Sequence, residues 1–320
     1  MSYKPQINST SAAKLIAAGT GALVSSILFS FYVLIPPLGL VTCLLAPFPA
    51  VFVRLRYGRG TALIVTLAAT ALMAALFGYL ASIVYLLQCS VIAMLLPELL
   101  ARGFGSARTI AWTTAVNLVA YLLAALAFVL ISGQNIHHLV VAEINGSIAQ
   151  AMAVYGKAGL KGDDLAVMKQ SMIMVANLLA RIYPALLTVM LIAMAGCNLS
   201  LVKRFSSRLG FDHGIGHFKE YKNPDLLVWL LITAGFAMLA GNPLVTTPAL
   251  NVLVILTALY FVQGLAVIST VIARQSFAGV LRLGLYLVLL LQPYLAALVA
   301  AIGIFDLWGD FRTPRKQENL

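Results

Sequence analysis

The feature that most constrains this chain is a succession of apolar runs along its whole length. Each is long enough, at about 18 residues or more, to cross a hydrocarbon core ~30 Å thick as a helix. Lipid offers the backbone no hydrogen-bond partners, so only helices and closed barrels span it. A barrel needs apolar and polar residues alternating with period two. These runs are continuous and rich in Leu and Ala, so the fold class is all-α: a polytopic transmembrane helical bundle embedded in a lipid bilayer. Charge agrees, since only 10% of residues are charged and the mean hydropathy is +0.98, against about 25% charged residues in a soluble domain.

We read about nine segments, at 13–33, 35–53, 61–79, 81–101, 109–132, 172–200, 224–241, 248–271 and 280–304. The second contains Pro36, Pro37, Pro47 and Pro49, so eight crossings are the alternative. Lys4 and Lys14 precede the first run without a cleavage site, which reads as a retained first helix. The net charge is +11, from 21 Lys and Arg against 10 Asp and Glu. No block of five basic residues occurs, and nucleic acid is not an expected partner. The excess instead follows the tendency of cytoplasmic loops to collect Lys and Arg. With the N-terminus cytoplasmic, nine crossings place 14 of the 21 basic residues inside, among them Arg54, Arg56, Arg59, Arg102, Arg108, Lys203 and Lys219. The tail does not fit. It carries Arg312, Arg315 and Lys316, yet nine crossings leave it outside; eight, with segment two or nine not spanning, bring it in.

The expected organisation is a cytoplasmic N-terminus (1–12), a six-helix membrane core (13–200), a cytoplasmic loop (201–223), additional membrane helices (224–304) and a C-terminal tail (305–320). Within the core, 133–170 is an external amphipathic segment, with Ile136, Val140, Ile144 and Ile148 at helical spacing. Gly156, Gly159 and Gly162 break it, and Asp163 opens a helix that runs into the sixth span. In "KNPDLLVW", Asn223 is the expected cap of the next helix, with Pro224 in its first turn and Asp225 at its positive end.

The first segment repeats small residues every fourth position: Ala13, Ala17, Gly21 and Ser25, then Ala18, Ala22, Ser26 and Ser30. Such faces let helix backbones approach closely. They serve internal packing or, in the sharper reading, contact with a separate membrane protein partner through Ala13, Ala17, Gly21 and Ser25. No phosphate loop, HExxH or GxSxG motif is present, and we expect no enzyme. "HGIGH" spaces His213 and His217 four apart, but two glycines lie between and no third ligand is evident, so no metal is expected. Cys43, Cys89 and Cys197 stand alone within apolar runs as small hydrophobes. Glu98 is the one acid read as lying well within an apolar run. Arg102 follows one turn on, so the pair is an anchoring ion pair or, alternatively, a proton-coupling carboxylate. Among polar residues in the spans, Gln88, Asn117, Asn177, Asn251, Gln263 and Gln292 stand out, and interhelical hydrogen bonding is the plain role for each. Gln263, flanked by Tyr260, Phe261 and Gly264, has the surroundings of a small-ligand contact. Arg181, in "ANLLARIYPALLTV", need not sit at the bilayer centre. From Pro184 to Val202 the helix still has 19 residues, enough to span. It either snorkels outward or turns inward at the mouth of an external pocket.

The stretches "KNPDLLVWLL", "LYFVQGLAVI" and "GIFDLWGDFR", in that order, resemble the YybS-like family of uncharacterised bacterial membrane proteins. The resemblance implies a bacterial cytoplasmic membrane. It also implies a remote similarity to the substrate-capturing S components of energy-coupling factor transporters, whose six-helix core matches the first six segments. The Ala13, Ala17, Gly21 stripe is similar to the face by which those proteins meet their coupling subunit. The three later segments depart from that plan.

The leading expectation is therefore a membrane protein that binds or moves a small solute. Arg181, Asn177, Asn117, Tyr260 and Gln263 would line an external pocket, a separate partner on the first helix would supply energy, and no cofactor is called for. The alternative is a non-transporting scaffold or assembly protein that binds partners through its small-residue faces.

Overall fold

The computed structural model describes residues 10–157, 163–209, 215–274, 278–292, 294–309 and 311–312. Their regular elements are all helical: α1 (Ser11–Leu34), α2 (Pro36–Leu45), α3 (Phe48–Tyr57), α4 (Arg59–Tyr85), a π-helical turn (Leu86–Ser90), α5 (Val91–Ala101), α6 (Ser106–Ser132), α7 (Ile136–Lys157), α8 (Asp163–Arg204), α9 (Ser206–Leu209), α10 (Leu226–Ala237), α11 (Pro243–Ile272), α12 (Ala278–Leu291) and α13 (Leu295–Gly309), with two short 3-10 turns. Among the described residues, six stretches are long and apolar enough to cross a membrane: Ser11–Leu34, Leu38–Tyr57, Arg59–Ala101, Ser106–Ser132, Asp163–Arg204 and Pro243–Ile272.

That is fewer than the nine segments read from sequence, and the differences have local causes. The segments at 61–79 and 81–101 fall in one 43-residue run. It is divided at Gly78, whose φ of 83° and ψ of −179° step out of the helix, a conformation glycine takes without a Cβ penalty. Leu226–Ala240 is apolar but short. The run at 280–304 is two helices, α12 of 14 residues and α13 of 15. Each rises only about 22 Å, less than the ~30 Å of a bilayer core.

Contacts divide the chain into two compact units, one of Met1–Gly133 with Thr188–Gly216, the other of Gln134–Leu187 with His217–Leu320. The division falls within α8, between Leu187 and Thr188. α7 forms where the apolar spacing placed it. α8 begins at Asp163, with Asp163 and Asp164 in its first turn, where the helix dipole favours acids. Gly159 and Gly162 lie outside the described residues.

In the first unit α1 packs against α2, α3 and α4. Gly21 makes this possible: a Cβ there would stand 3.3 Å from both Val53 and Val65. Ser25 Oγ donates to the Ala46 carbonyl (2.6 Å) and so accepts from the Tyr85 hydroxyl (2.6 Å). The Tyr85 ring meets Phe29 edge-on, centroids 5.2 Å apart. Asn198 of α8 donates to the Leu44 carbonyl (2.9 Å) and to Met194 O (2.8 Å).

In the second unit α11 is the axis, packed against α10, α12 and, most extensively, α13. α10 begins at Leu226 and its boundary residue is Asp225, with no side-chain cap bond. The expected cap, Asn223, is engaged elsewhere, as described below.

Candidate functional site

Helix α6 docks against α5 and the π-helical turn with an inverted face. Its four buried residues, Thr109, Thr113, Thr114 and Asn117, are all polar, while its apolar residues, among them Trp112, Val119, Leu122 and Leu126, are exposed. A lipid-facing helix reads this way when its inner side borders something polar. Asn117 is 0% exposed, near the middle of the 27-residue helix. Neither its amide nitrogen nor its carbonyl oxygen has a hydrogen-bond partner, and the same holds for the hydroxyls of Thr113, Thr114 and Ser90. The Tyr121 hydroxyl lies beside Gln88 without hydrogen-bond geometry. Gln88 Oε1 accepts from Cys43 Sγ at 3.7 Å. Gln88 and Ser90 both belong to the π-helical turn, an irregularity that sequence reading missed and that recurs at functional sites. Buried polar groups are normally satisfied, so this concentration of bare ones marks the region.

Arg181 sits elsewhere. Its guanidinium is exposed and donates to Thr246 Oγ1 (3.2 Å) and Thr247 Oγ1 (3.4 Å) at the start of α11. One turn on, the Asn251 amide accepts from Ala185 N–H (2.9 Å) and donates to the Arg181 carbonyl (2.7 Å). Those two backbone groups would bond each other in an unbroken helix. Pro184, which removes a donor and crowds the preceding turn, lies between them. Asn251 thus has the interhelical role read for it, joining α11 to the turn of α8 that holds Pro184. Asn177 is exposed. His137 stacks on Tyr183, centroids 6.0 Å apart.

Gln263 is buried near the other end of α11, 16 residues beyond Thr247, about 24 Å along the axis. Its carbonyl accepts from Asn223 N–H (2.9 Å) and its amide donates to Asp306 Oδ2 (3.1 Å). Asn223 Nδ2 donates to the Leu259 carbonyl (3.1 Å). Arg312 donates to Asp306 Oδ2 (2.8 Å) and to the carbonyls of Lys219 (2.9 Å) and Tyr221 (2.8 Å), and Arg274 donates to the Arg312 carbonyl. The Tyr221 hydroxyl donates to Asn223 Oδ1 (2.8 Å), and burial pushes its pKa up. The three motif stretches quoted from sequence therefore meet in one clamp. Asp306, whose side chain is 2% exposed, is a buried acid that sequence reading assigned to the tail. The clamp also puts Arg312 at the same end of the unit as Lys219 and Arg274.

Two of the residues expected to line one pocket, Arg181 and Gln263, do not come together. Arg181 and Gln263 lie toward opposite ends of α11, and Gln263 is consumed by protein partners. The Tyr260 hydroxyl is buried without a partner. Glu98 does pair with Arg102 (3.0 Å), and also with Arg54 (2.6 Å), whose side chain is only 9% exposed. Along the first helix, Gly21 and Ser25 are buried in internal packing, while Ala13 and Ala17 border an open groove of about 480 Å³ with Thr20, Phe48, Phe52 and Tyr57. The three cysteines are unpaired. His213 lies outside the described residues, and no group of three metal-ligating side chains occurs among those described.

The family described as "Predicted membrane protein (DUF2232)" matches residues 23–307. No curated protein and no solved structure matches.

Proposed function

The chain belongs to the DUF2232 family of predicted membrane proteins, and from that premise we propose that it binds a small polar solute in its first unit and handles it together with a separate membrane partner. The observation that carries this reading is the inverted face of α6, with the bare amide of Asn117 at its centre. A bundle that only had to hold itself together in lipid would gain nothing from burying polar atoms without partners. The first unit gathers six helical passes, α1, α2 with α3, α4 to Gly78, Gly78 to α5, α6 and the second half of α8, which supports the S-component-like core implied by the YybS-like resemblance. The groove beside Ala13 and Ala17 supports the partner face, and its occupant in this reading is a transmembrane helix of the partner.

We read eight crossings, with α12 and α13 as a short hairpin that enters and leaves on one side. This arrangement is supported by Arg312 lying beside Lys219 and Arg274, which brings the tail to the basic side, cytoplasmic by the positive-inside tendency. The setting is then a bacterial cytoplasmic membrane with the N-terminus inside. No catalytic role is assigned to any residue.

The groove also favours the second reading, a scaffold that holds partners and no solute. Native mass spectrometry of the protein extracted in its own lipids separates the two. A co-purified small molecule is the expected result, and a chain that carries only protein partners and lipid supports the scaffold.

A further inference from the structure

Resting on the solute-binding reading, we infer that the occupant of the α6 site is a small uncharged molecule bearing a hydrogen-bond donor and acceptor side by side, recognised by the amide of Asn117. The amide has one edge that donates and one that accepts, and both are bare in a side chain with no exposure. A cation there would engage the amide oxygen of Asn117 but leave the amide N–H group without an acceptor. An anion would do the reverse. An uncharged molecule with both functions satisfies the two edges at once, while the neighbouring hydroxyls adapt by rotation.

Charge on the surrounding elements points the same way. Arg108 is nine residues before Asn117 on α6, about 13 Å along the axis. Glu98 is eight residues past Ser90, about 12 Å away by the same measure, and is already held by Arg54 and Arg102. An ion buried beside Asn117 would find no free counter-charge close by on α5, the π-helical turn or α6, and uncompensated charge is what a low-dielectric interior excludes most strongly.

The test compares the wild-type chain with Asn117→Leu and Asn117→Asp, all extracted in native lipids. The bound molecule is counted by native mass spectrometry and its charge determined after release. Thermal melting checks that each variant is folded, and Thr113→Val replaces any that is not. The expected result is an uncharged molecule on the wild type whose occupancy falls at least about tenfold in both Asn117 variants, a loss of the order of one good hydrogen-bonded contact. A charged occupant, or an uncharged one retained by Asn117→Leu, overturns this inference and leaves the solute reading standing. Melting raised by sodium chloride but not by choline chloride also overturns it, in favour of a cation. A wild-type chain carrying no molecule removes both.

Discussion

Gly264 and Gly303 lie back to back where α11 crosses α13. A Cβ on the first would run into the Val299 carbonyl, and one on the second into the carbonyl of Tyr260. Backbone has no rotamer with which to yield, so either substitution must push the helices apart. Gly264→Ala and Gly303→Ala are each predicted to destabilise the second unit by about 1–3 kcal/mol or more, read as a lower melting temperature in nanodiscs. Gly235→Ala, where a Cβ meets open space, is the control and should leave melting unchanged. Equal behaviour of all three would refute the crossing geometry.

Removing the Asn251 amide takes a partner from both the Ala185 N–H and the Arg181 carbonyl. Asn251→Leu is predicted to cost about 1–3 kcal/mol for the unsatisfied pair. Hydrogen exchange should quicken at 181–186 and not at the distal end of α8. Unchanged exchange there would show that α8 closes its own step at Pro184.

Arg312→Ala leaves Asp306 charged and buried, a change that costs about 3–5 kcal/mol when a buried pair loses one partner. Adding Asp306→Asn should recover part of the loss, because the stranded charge goes with it. Limited proteolysis at 217–225 is the readout, and it should be faster in the single variant than in the double. If the single variant is as resistant as wild type, the clamp does not hold the loop.

Glu98 anchors two arginines of unequal burial. Arg102 is 66% exposed and Arg54 9%, so Arg102→Ala should cost only about 0.3–0.5 kcal/mol, as exposed helix pairs do. Glu98→Gln should cost several times more by leaving Arg54 without its carboxylate. Equal melting shifts would contradict this ordering.

Burial raises the Tyr221 pKa above the ordinary value near 10. A folded-state pKa above the unfolded one contributes stability that is complete below about pH 10 and lost as pH climbs through the folded value. Stability should therefore fall on the alkaline side more steeply in wild type than in Tyr221→Phe. Parallel alkaline limbs for the two chains would count against the burial of this phenol.

Much of the membrane architecture was legible because apolar runs report directly on what lipid permits. The sites were less so, each for a physical reason. Gln263 was singled out for its aromatic and glycine neighbours, yet Gly264 serves a helix crossing and the amide serves Asn223 and Asp306. Asp306 escaped notice because "GIFDLWG" reads as a helix running into a tail until Arg312 folds back on it. Arg181 drew attention as a charge in an apolar run. Its meaning lay with Thr246, Thr247 and Asn251, more than sixty residues away, and no local pattern names such partners. The inner face of α6 was readable in principle, as Thr109, Thr113 and Asn117 recur every fourth residue, but hydropathy averaging hides polar residues among leucines. The π-helical turn at Leu86–Ser90 has no evident sequence signature.

The clamp also sets an order of events during synthesis. Asn223 has its partners Tyr221, Leu259 and Gln263 once α11 is made, but the Gln263 amide waits for Asp306, and the clamp cannot close until residue 312 has been made. Until then the Gln263 amide nitrogen lacks its acceptor. A chain that stopped after α11 would keep that group unpaired, so the last turn of α13 and Arg312 finish what α11 begins.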